Sequence, residues 1–137
     1  MRAARYAASV VRTIGRHMAD NRSGDVAVVD DDVAVLESFR FMLELAGLDV
    51  STYPSAIAFL ARHAAQPRCL ILDHHMPLMT GLELVTRLRD GGSRVPVMLI
   101  TSSPSPAIIA RAAELGIERV LEKPPTEADV IGFVMRS

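Results

Sequence analysis

Two kinds of side chain in this sequence could do chemistry together: a crowd of acids and one ammonium. Asp30, Asp31 and Asp32 follow the apolar run Val26 to Val29, and Asp73 follows Leu70 to Leu72. Thr101 closes another apolar run, and Lys123-Pro124 stand one residue beyond a fourth. Carboxylates gathered in one cleft repel one another and share a proton unless a cation sits between them. A hard divalent ion is the natural occupant. Magnesium takes oxygen ligands and keeps several waters, so two carboxylates, a backbone carbonyl and a phosphate oxygen would suit it. The chain spends 14 Arg and a single Lys, so an Arg-preferring composition keeps its one ammonium beside Pro124. Such a point charge can pair with a carboxylate and then with a phosphoryl oxygen without the planar fork of Arg. Thr101 would offer a hydroxyl to the same oxygens.

These residues need elements to bring them together. From Asp25 onward, short β-branched runs alternate with longer amphipathic ones, the pattern of strands alternating with helices. The strands read as Val26 to Val29, Val50 to Tyr53, Leu70 to Leu72, Val97 to Ile100 and Arg119 to Leu121. The helices read as Val33 to Ala46, Ala56 to His63, Leu82 to Arg89, Ala107 to Leu115 and Glu127 to Met135. Thr80 with Glu83, and Thr126 with Asp129, have capping-box spacing, and Ser105-Pro106 reads as an N-cap with Pro at the first helical position. Asp32 reads as the cap of the first helix. Gly47, Gly91 and Gly116 sit where helices should stop. Strands one, three and four are almost wholly apolar, as expected when helices cover both faces of a parallel sheet. Five such units imply a doubly wound α/β domain, a five-stranded parallel sheet with helices on both faces, whose ligands bind at the carboxyl ends of the strands. No Gly-x-Gly-x-x-Gly follows the first strand and no Gly-x-x-x-x-Gly-Lys occurs, which disfavours nucleotide binding.

Composition agrees with one domain. The chain has 137 residues, half of them hydrophobic, and a formal net charge of -1. That excludes a disordered tail and a basic nucleic-acid arm. No apolar run approaches the roughly 20 residues needed to span a bilayer. The lone Cys69 lies in an apolar run and reads as a buried small hydrophobe, which fits a reducing, cytoplasmic setting. Residues 1 to 24 differ from the rest: Arg2, Arg5, Arg12 and Arg16 precede the first acid, Asp20. They read as a disordered or weakly helical extension, with a vector remnant, an over-extended start before Met18 and a transit-like leader as the alternatives.

From residue 25 to the C-terminus the chain resembles a receiver domain of the two-component response regulators, with a flavodoxin-like fold. The matching pieces are Val28-Val-Asp-Asp-Asp32, Ile71-Leu-Asp-His-His-Met-Pro77 with Gly81 after it, Leu99-Ile-Thr101, and Gly116 leading to Glu122-Lys-Pro124. The resemblance implies that Asp73 is the phosphoacceptor and that Asp30 and Asp31 are the acidic metal-binding pair. It makes Thr101 the switch hydroxyl and Lys123 the phosphate-binding lysine. The backbone carbonyl of His75 takes the remaining protein metal-ligand role, and the Lys123-Pro124 bond should be cis. His75 and Ser102 become candidate modulators of the acyl phosphate. The implied cofactor is Mg2+ or Mn2+. The implied partners are a histidine kinase or histidine phosphotransfer protein, expected near the first helix and the loops around the site. A downstream protein is expected on the face of helix four, strand five and helix five, including Ile108, Arg111, Val120 and Ile131. Dimerisation is left open, nucleic acid and membrane are not expected partners, and the chain should promote its own phosphorylation and dephosphorylation without being a turnover enzyme.

Two departures from the family pattern stand out. The aromatic switch position three residues before Lys123 is Val120, too small to rotate as a plug, and Pro125 stiffens the loop after the Lys-Pro pair. The pair His74-His75 lies beside the acceptor without a third ligand at metal spacing. Met76, Met79 and Met98 read as adaptable packing near the site, and His17 and His63 as incidental. Two other functions compete. An aspartyl-nucleophile phosphohydrolase of the haloacid-dehalogenase type would place its acids in the opposite order. A pseudo-receiver that binds partners irrespective of phosphate is kept in view by Val120. The chain stops just after its fifth helical segment, so output is expected by contact, from a stand-alone receiver or a fragment of a longer regulator.

Overall fold

A computed structural model describes residues 24–62 and 66–137. The expectations for residues 1 to 23, His17 and His63 fall outside that range. The elements are β1 (Val26–Val29), α1 (Val33–Leu45), β2 (Val50–Tyr53), α2 (Ala56–Ala61), β3 (Cys69–Asp73), α3 (Gly81–Asp90), β4 (Val97–Thr101), α4 (Pro106–Glu114), β5 (Arg119–Glu122) and α5 (Glu127–Arg136). All five strands pair in parallel in the order β2-β1-β3-β4-β5. The order reverses between β1 and β3, so the crevice between their carboxyl ends is where this topology opens a ligand site.

Local sequence explains most helix starts. The Asp32 carboxylate accepts the Ala34 N–H and caps α1. Thr80 and Glu83 exchange both hydrogen bonds of a capping box at the start of α3. Ser105 caps α4 with Pro106 in its first turn, and Thr126 caps α5 through the Asp129 N–H. Each such cap satisfies an amide that the helix itself cannot, worth about 1 kcal/mol. Gly47 and Gly116 take positive φ at helix ends, but after α3 the left-handed residue is Gly92, not Gly91. The second helix ends at Ala61, two residues short of the periodicity reading, because Arg62 has already turned to extended backbone.

The strands β3, β4 and β5 each run one residue beyond their apolar stretch. Asp73 pairs with Ile100 and Thr101 with Glu122. Ladder pairing depends on backbone groups, so a polar side chain does not end it. Asp73 and Thr101 are thus the last residues of central strands, not loop residues.

Two apolar layers flank the sheet. On one face Leu36, Phe39 and Leu43 of α1 and Val130, Phe133 and Val134 of α5 pack on Val28, Ile71 and Met98. On the other, Leu84 and Val85 of α3 and Ala56 of α2 pack on Ala27, Leu70, Leu72 and Leu99, with Ile108 and Val120 at the margin. The methionines therefore do not form one group: Met76 and Met79 belong to the second layer and Met98 to the first. Adjacent strand positions point to opposite faces, and β4 sends Met98 and Leu99 to different sides. Cys69 is fully buried at the start of β3. No helix among the described residues is long and apolar enough to cross a membrane.

Candidate functional site

Asp30 follows β1 and is 2% exposed; Asp73 closes β3 at 4%. The strands carrying them are neighbours in register, Val29 opposite Leu72, so their carboxylates converge at the same edge of the sheet. Asp31, one residue on, is exposed. One carboxylate oxygen from each of Asp30, Asp31 and Asp73 lies within 4.8 Å of the others. Asp30 is held by the Asp32 N–H, which its Oδ1 accepts at 2.9 Å, while Asp32 itself is occupied in capping α1.

Lys123 reaches this group from beyond β5. Its Nζ lies 3.1 Å from Asp30 Oδ2 and 3.2 Å from Asp73 Oδ1. The Lys123 N–H donates to the Thr101 carbonyl at 3.0 Å, and the following Lys123-Pro124 peptide is cis. Thr101 is fully buried, and its Oγ1 accepts the Ser103 N–H at 3.1 Å. Ser102 beside it is exposed.

Burial pushes the Asp73 carboxyl above its ordinary value of 3.8; the Asp30 charge adds to the rise, Lys123 opposes it and Asp31 adds again. Burial alone would lower Lys123, but the hydrogen bond and charge of Asp30, then those of Asp73, outweigh it and hold the ammonium above its usual range. One ammonium does not offset three converging carboxylates. The donor set is all oxygen and carries excess negative charge, which fits a hard dication such as Mg2+.

The loop from Asp73 to Gly81 is pinned to the acceptor. The His74 carbonyl accepts the Met76 and Gly81 N–H groups at 3.1 and 2.9 Å, and the His74 N–H donates to the Ile100 carbonyl at 2.9 Å. His74 Nδ1 also accepts a long hydrogen bond from Leu82 N–H at 3.4 Å. Its pKa is lowered by burial and then by His75, with Glu83 opposing. His75 is exposed, its ring edge-on to that of His74 at 4.8 Å. Val120 stands apart from the acids, half-buried in the apolar cluster that includes Ile108, Leu115 and Ile117.

Three features had no signal in periodicity. A Cβ on Gly81 would sit 2.7 Å from the Asp73 carbonyl oxygen and 3.0 Å from the His74 Cα, so a side chain there would displace the acceptor's backbone. Leu78 takes φ +73° and is 90% exposed, a left-handed conformation usually left to Gly or Asn. Arg89, which the helical pattern treats as surface, reaches three carbonyls. Only Gly81 had a sequence cue, its place after the Met76-Pro77 motif.

A family model described as the response regulator receiver domain matches residues 26–134. The chain belongs to the response-regulator receiver family. The receiver is 39% identical over 113 residues to the transcriptional regulatory protein FixJ of Azorhizobium caulinodans, covering 82% of this chain and 54% of that protein. It superposes on the structure titled FixJ-N with a TM-score of 0.73 at 34% identity, covering 83% of this chain and 92% of that one. It superposes on the chemotaxis protein CheY4 of Vibrio cholerae with a TM-score of 0.75 at 27% identity, covering 82% and 97%. The receiver spans about half the length of FixJ-type relatives. Its family is that of two-component signalling, and the phosphohydrolase alternative finds no support in these matches.

Proposed function

We propose that Asp73 accepts a phosphoryl group from a phosphohistidine and that the acyl phosphate switches the surface around α4, β5 and α5. The observation that carries this reading is the placement of Lys123, whose ammonium lies within 3.2 Å of Asp73 Oδ1 and 3.1 Å of Asp30 Oδ2. An Asp73 carboxylate oxygen attacks phosphorus in line with the donor nitrogen. The new O–P bond forms as the P–N bond breaks, and its electron pair returns to the imidazole. Lys123 can exchange its contact with Asp73 for one with a phosphoryl oxygen, which offsets the charge gathered there. Asp30 and Asp31, with the His75 carbonyl, would hold a divalent cation beside the acceptor. Bound there, Mg2+ or Mn2+ would neutralise phosphoryl oxygens and screen the three acids from one another.

The product carries about one more negative charge than the carboxylate it replaces. Thr101, already buried at the end of β4, is the hydroxyl available to those new oxygens; His75 and Ser102 flank them as modulators of hydrolysis. The unit that does this runs from Asp25 to Ser137. It is labelled once and does not turn over substrate. Its partners are a cytoplasmic histidine kinase or phosphotransfer protein and a downstream protein. Ile108, Arg111, Val120 and Ile131 line the downstream face, and Ile109 and Met135 expose more apolar surface there, at 52% and 48%.

Intact-mass measurement after exposure to a small phosphodonor with Mg2+ tests this. The wild-type chain should gain one phosphoryl group, and Asp73→Asn none. Equal labelling of both would overturn the assignment of Asp73.

A further inference from the structure

The α/β domain and the segment before it carry opposite charge. Residues 1–23 hold five arginines against Asp20 alone, a formal +4, whereas residues 24–137 hold ten basic and fifteen acidic side chains, a formal -5. In the first segment Ala3, Ala7, Val10, Ile14 and Met18 recur at intervals of four and three, the spacing of one helix face. Arg5, Arg12 and Arg16 recur at seven and four and fall on the other side of such a helix.

One surface of the domain suits that pattern. The helix α1 leaves Val33, Phe41 and Leu45 open to solvent at 62%, 58% and 55%, three of the seven large apolar side chains so exposed among the described residues. Phe41 and Leu45 stand one turn apart, away from the face that buries Leu36, Phe39 and Leu43. Acids border them: Glu37 is exposed on α1, and Asp31 and Asp32 are exposed at its start. The one cation of α1, Arg40, turns instead to the sheet edge, where it donates to the Val50 carbonyl at 3.3 Å and to Thr52 Oγ1 at 3.1 Å.

Connectivity puts the two within reach of each other. Gly24 precedes β1, and residues 46–49 carry the chain from the end of α1 to Val50, which lies opposite Val26. The segment therefore leaves the fold at the edge of the sheet where α1 ends. From Val26 back to Met18 an extended chain spans up to about 27 Å, more than the roughly 17 Å that the chain from Leu45 to Val50 can cover. Wound as a helix, the stretch from Arg5 to Met18 would be about 21 Å long, against about 20 Å for α1.

We propose that residues 5 to 18 lie along α1, with Ile14 and Met18 against Leu45 and Val10 against Phe41, so that the chain's own leading segment is the occupant of this exposed apolar face. A short tether gives the segment an effective concentration on the order of millimolar, so a contact too weak to hold a free peptide suffices. The opposite formal charges add an attraction that salt weakens. Docking does not depend on the receiver reading, but its consequence rests on it. On that reading a phosphodonor protein is expected at the same helix, so the segment competes with it, whereas a small phosphodonor is unaffected.

The test is paramagnetic broadening in NMR spectra of the full chain with a nitroxide attached through Ser9→Cys, a position off the apolar spacing; Cys69 is fully buried and stays unlabelled. Amides of Glu37 to Leu45 should relax severalfold faster than those of β5, at the far edge of the sheet, and the effect should persist on tenfold dilution. Ile14→Asp in the labelled chain should remove it, and so should Phe41→Asp, each leaving the resonances of the sheet in place. Uniform broadening over the surface, none at α1, or the same pattern in Ile14→Asp overturns the proposal. Loss on dilution would give the face to a second copy, and binding to phosphatidylglycerol vesicles with no broadening at α1 would give the segment to a membrane surface; either overturns it. Intact-mass labelling by a small phosphodonor with Mg2+ needs no docking face and should be equal in wild type and Ile14→Asp. If neither is labelled, the receiver reading fails and the docking is still decided by the broadening. Labelling that differs between them would mean that the segment acts on the acids and not on α1, which overturns the proposal.

Discussion

The helices α1 and α5 each send three side chains into the core, whereas α4 sends one alanine. The first pair packs on Val28, Ile71 and Met98, beneath the strand ends that bring Asp30 and Asp73 together. The second flanks β5, three of whose residues are partly buried and the last, Glu122, exposed. The contrast teaches how one small domain can hold charge and still move. Three crowded carboxylates need neighbours that do not yield, because repulsion relaxes through the softest contact. A surface that reports on them needs a helix with little packing to lose. Regions of low burial are those that open and shift at the least free-energy cost.

Mutations should separate these halves, beginning with the largest effect. Leu43→Ala, at a fully buried position of α1, should lower unfolding free energy by about 3 kcal/mol in urea titrations. A loss comparable to that of a surface site would mean that α1 is not the rigid half. Saturating Mg2+ should come next: at one hundred times its dissociation constant it adds about 2.7 kcal/mol to any fold it binds and does not bind unfolded. Protection from exchange should then rise at the ends of β1 and β3 more than in α4, and Asp31→Asn should remove most of the gain. Gly81→Ala, despite its helical position, should cost about 2 kcal/mol, because the added methyl meets the Asp73 carbonyl and Leu99. An ordinary helix glycine would gain stability from the same change. Ile109→Ala on α4 should shift stability by no more than about 0.5 kcal/mol.

The smallest effect is a pH dependence. Hydrogen bonds from the Thr80 backbone and side chain hold the Glu83 carboxyl below its ordinary value of 4.5. A lowered folded pKa stabilises the fold above the ordinary value, and that gain disappears as pH falls through the lower one. Wild type should therefore exceed Glu83→Gln in urea midpoint at neutral pH, and the two should converge in acid. A difference that grows on acidification would reverse the sign and remove this account of the α3 cap.

Most of the fold was legible because alternation of apolar runs and caps is local. Asp32, Thr80, Ser105 and Thr126 announce helix starts through hydrogen bonds that close within three residues. The chemical residues were legible because each stands just past an apolar run, where a doubly wound sheet must gather them. What was not legible depends on distant neighbours. Nothing near Gly81 in sequence says that Leu99 lies over it, and nothing near Arg89 says that the Leu115 carbonyl waits 26 positions away. Met76, Met79 and Met98 all fall near motif residues in the sequence, but strand alternation sends Met98 to the other face. The left-handed Leu78 is likewise set by the loop's closure on His74, which no local preference for leucine suggests.

The measurement that bears most directly on the site is to locate the modification itself. Wild-type chain treated with a small phosphodonor and Mg2+, then with borohydride, which reduces an acyl phosphate to an alcohol, should yield homoserine at position 73 in the peptide following Arg68. The yield should drop sharply in Lys123→Ala and in Asp31→Asn. Homoserine at 30 or 31 instead, or labelling of Asp73 that is indifferent to Mg2+, Asp31 and Lys123 alike, would contradict the account.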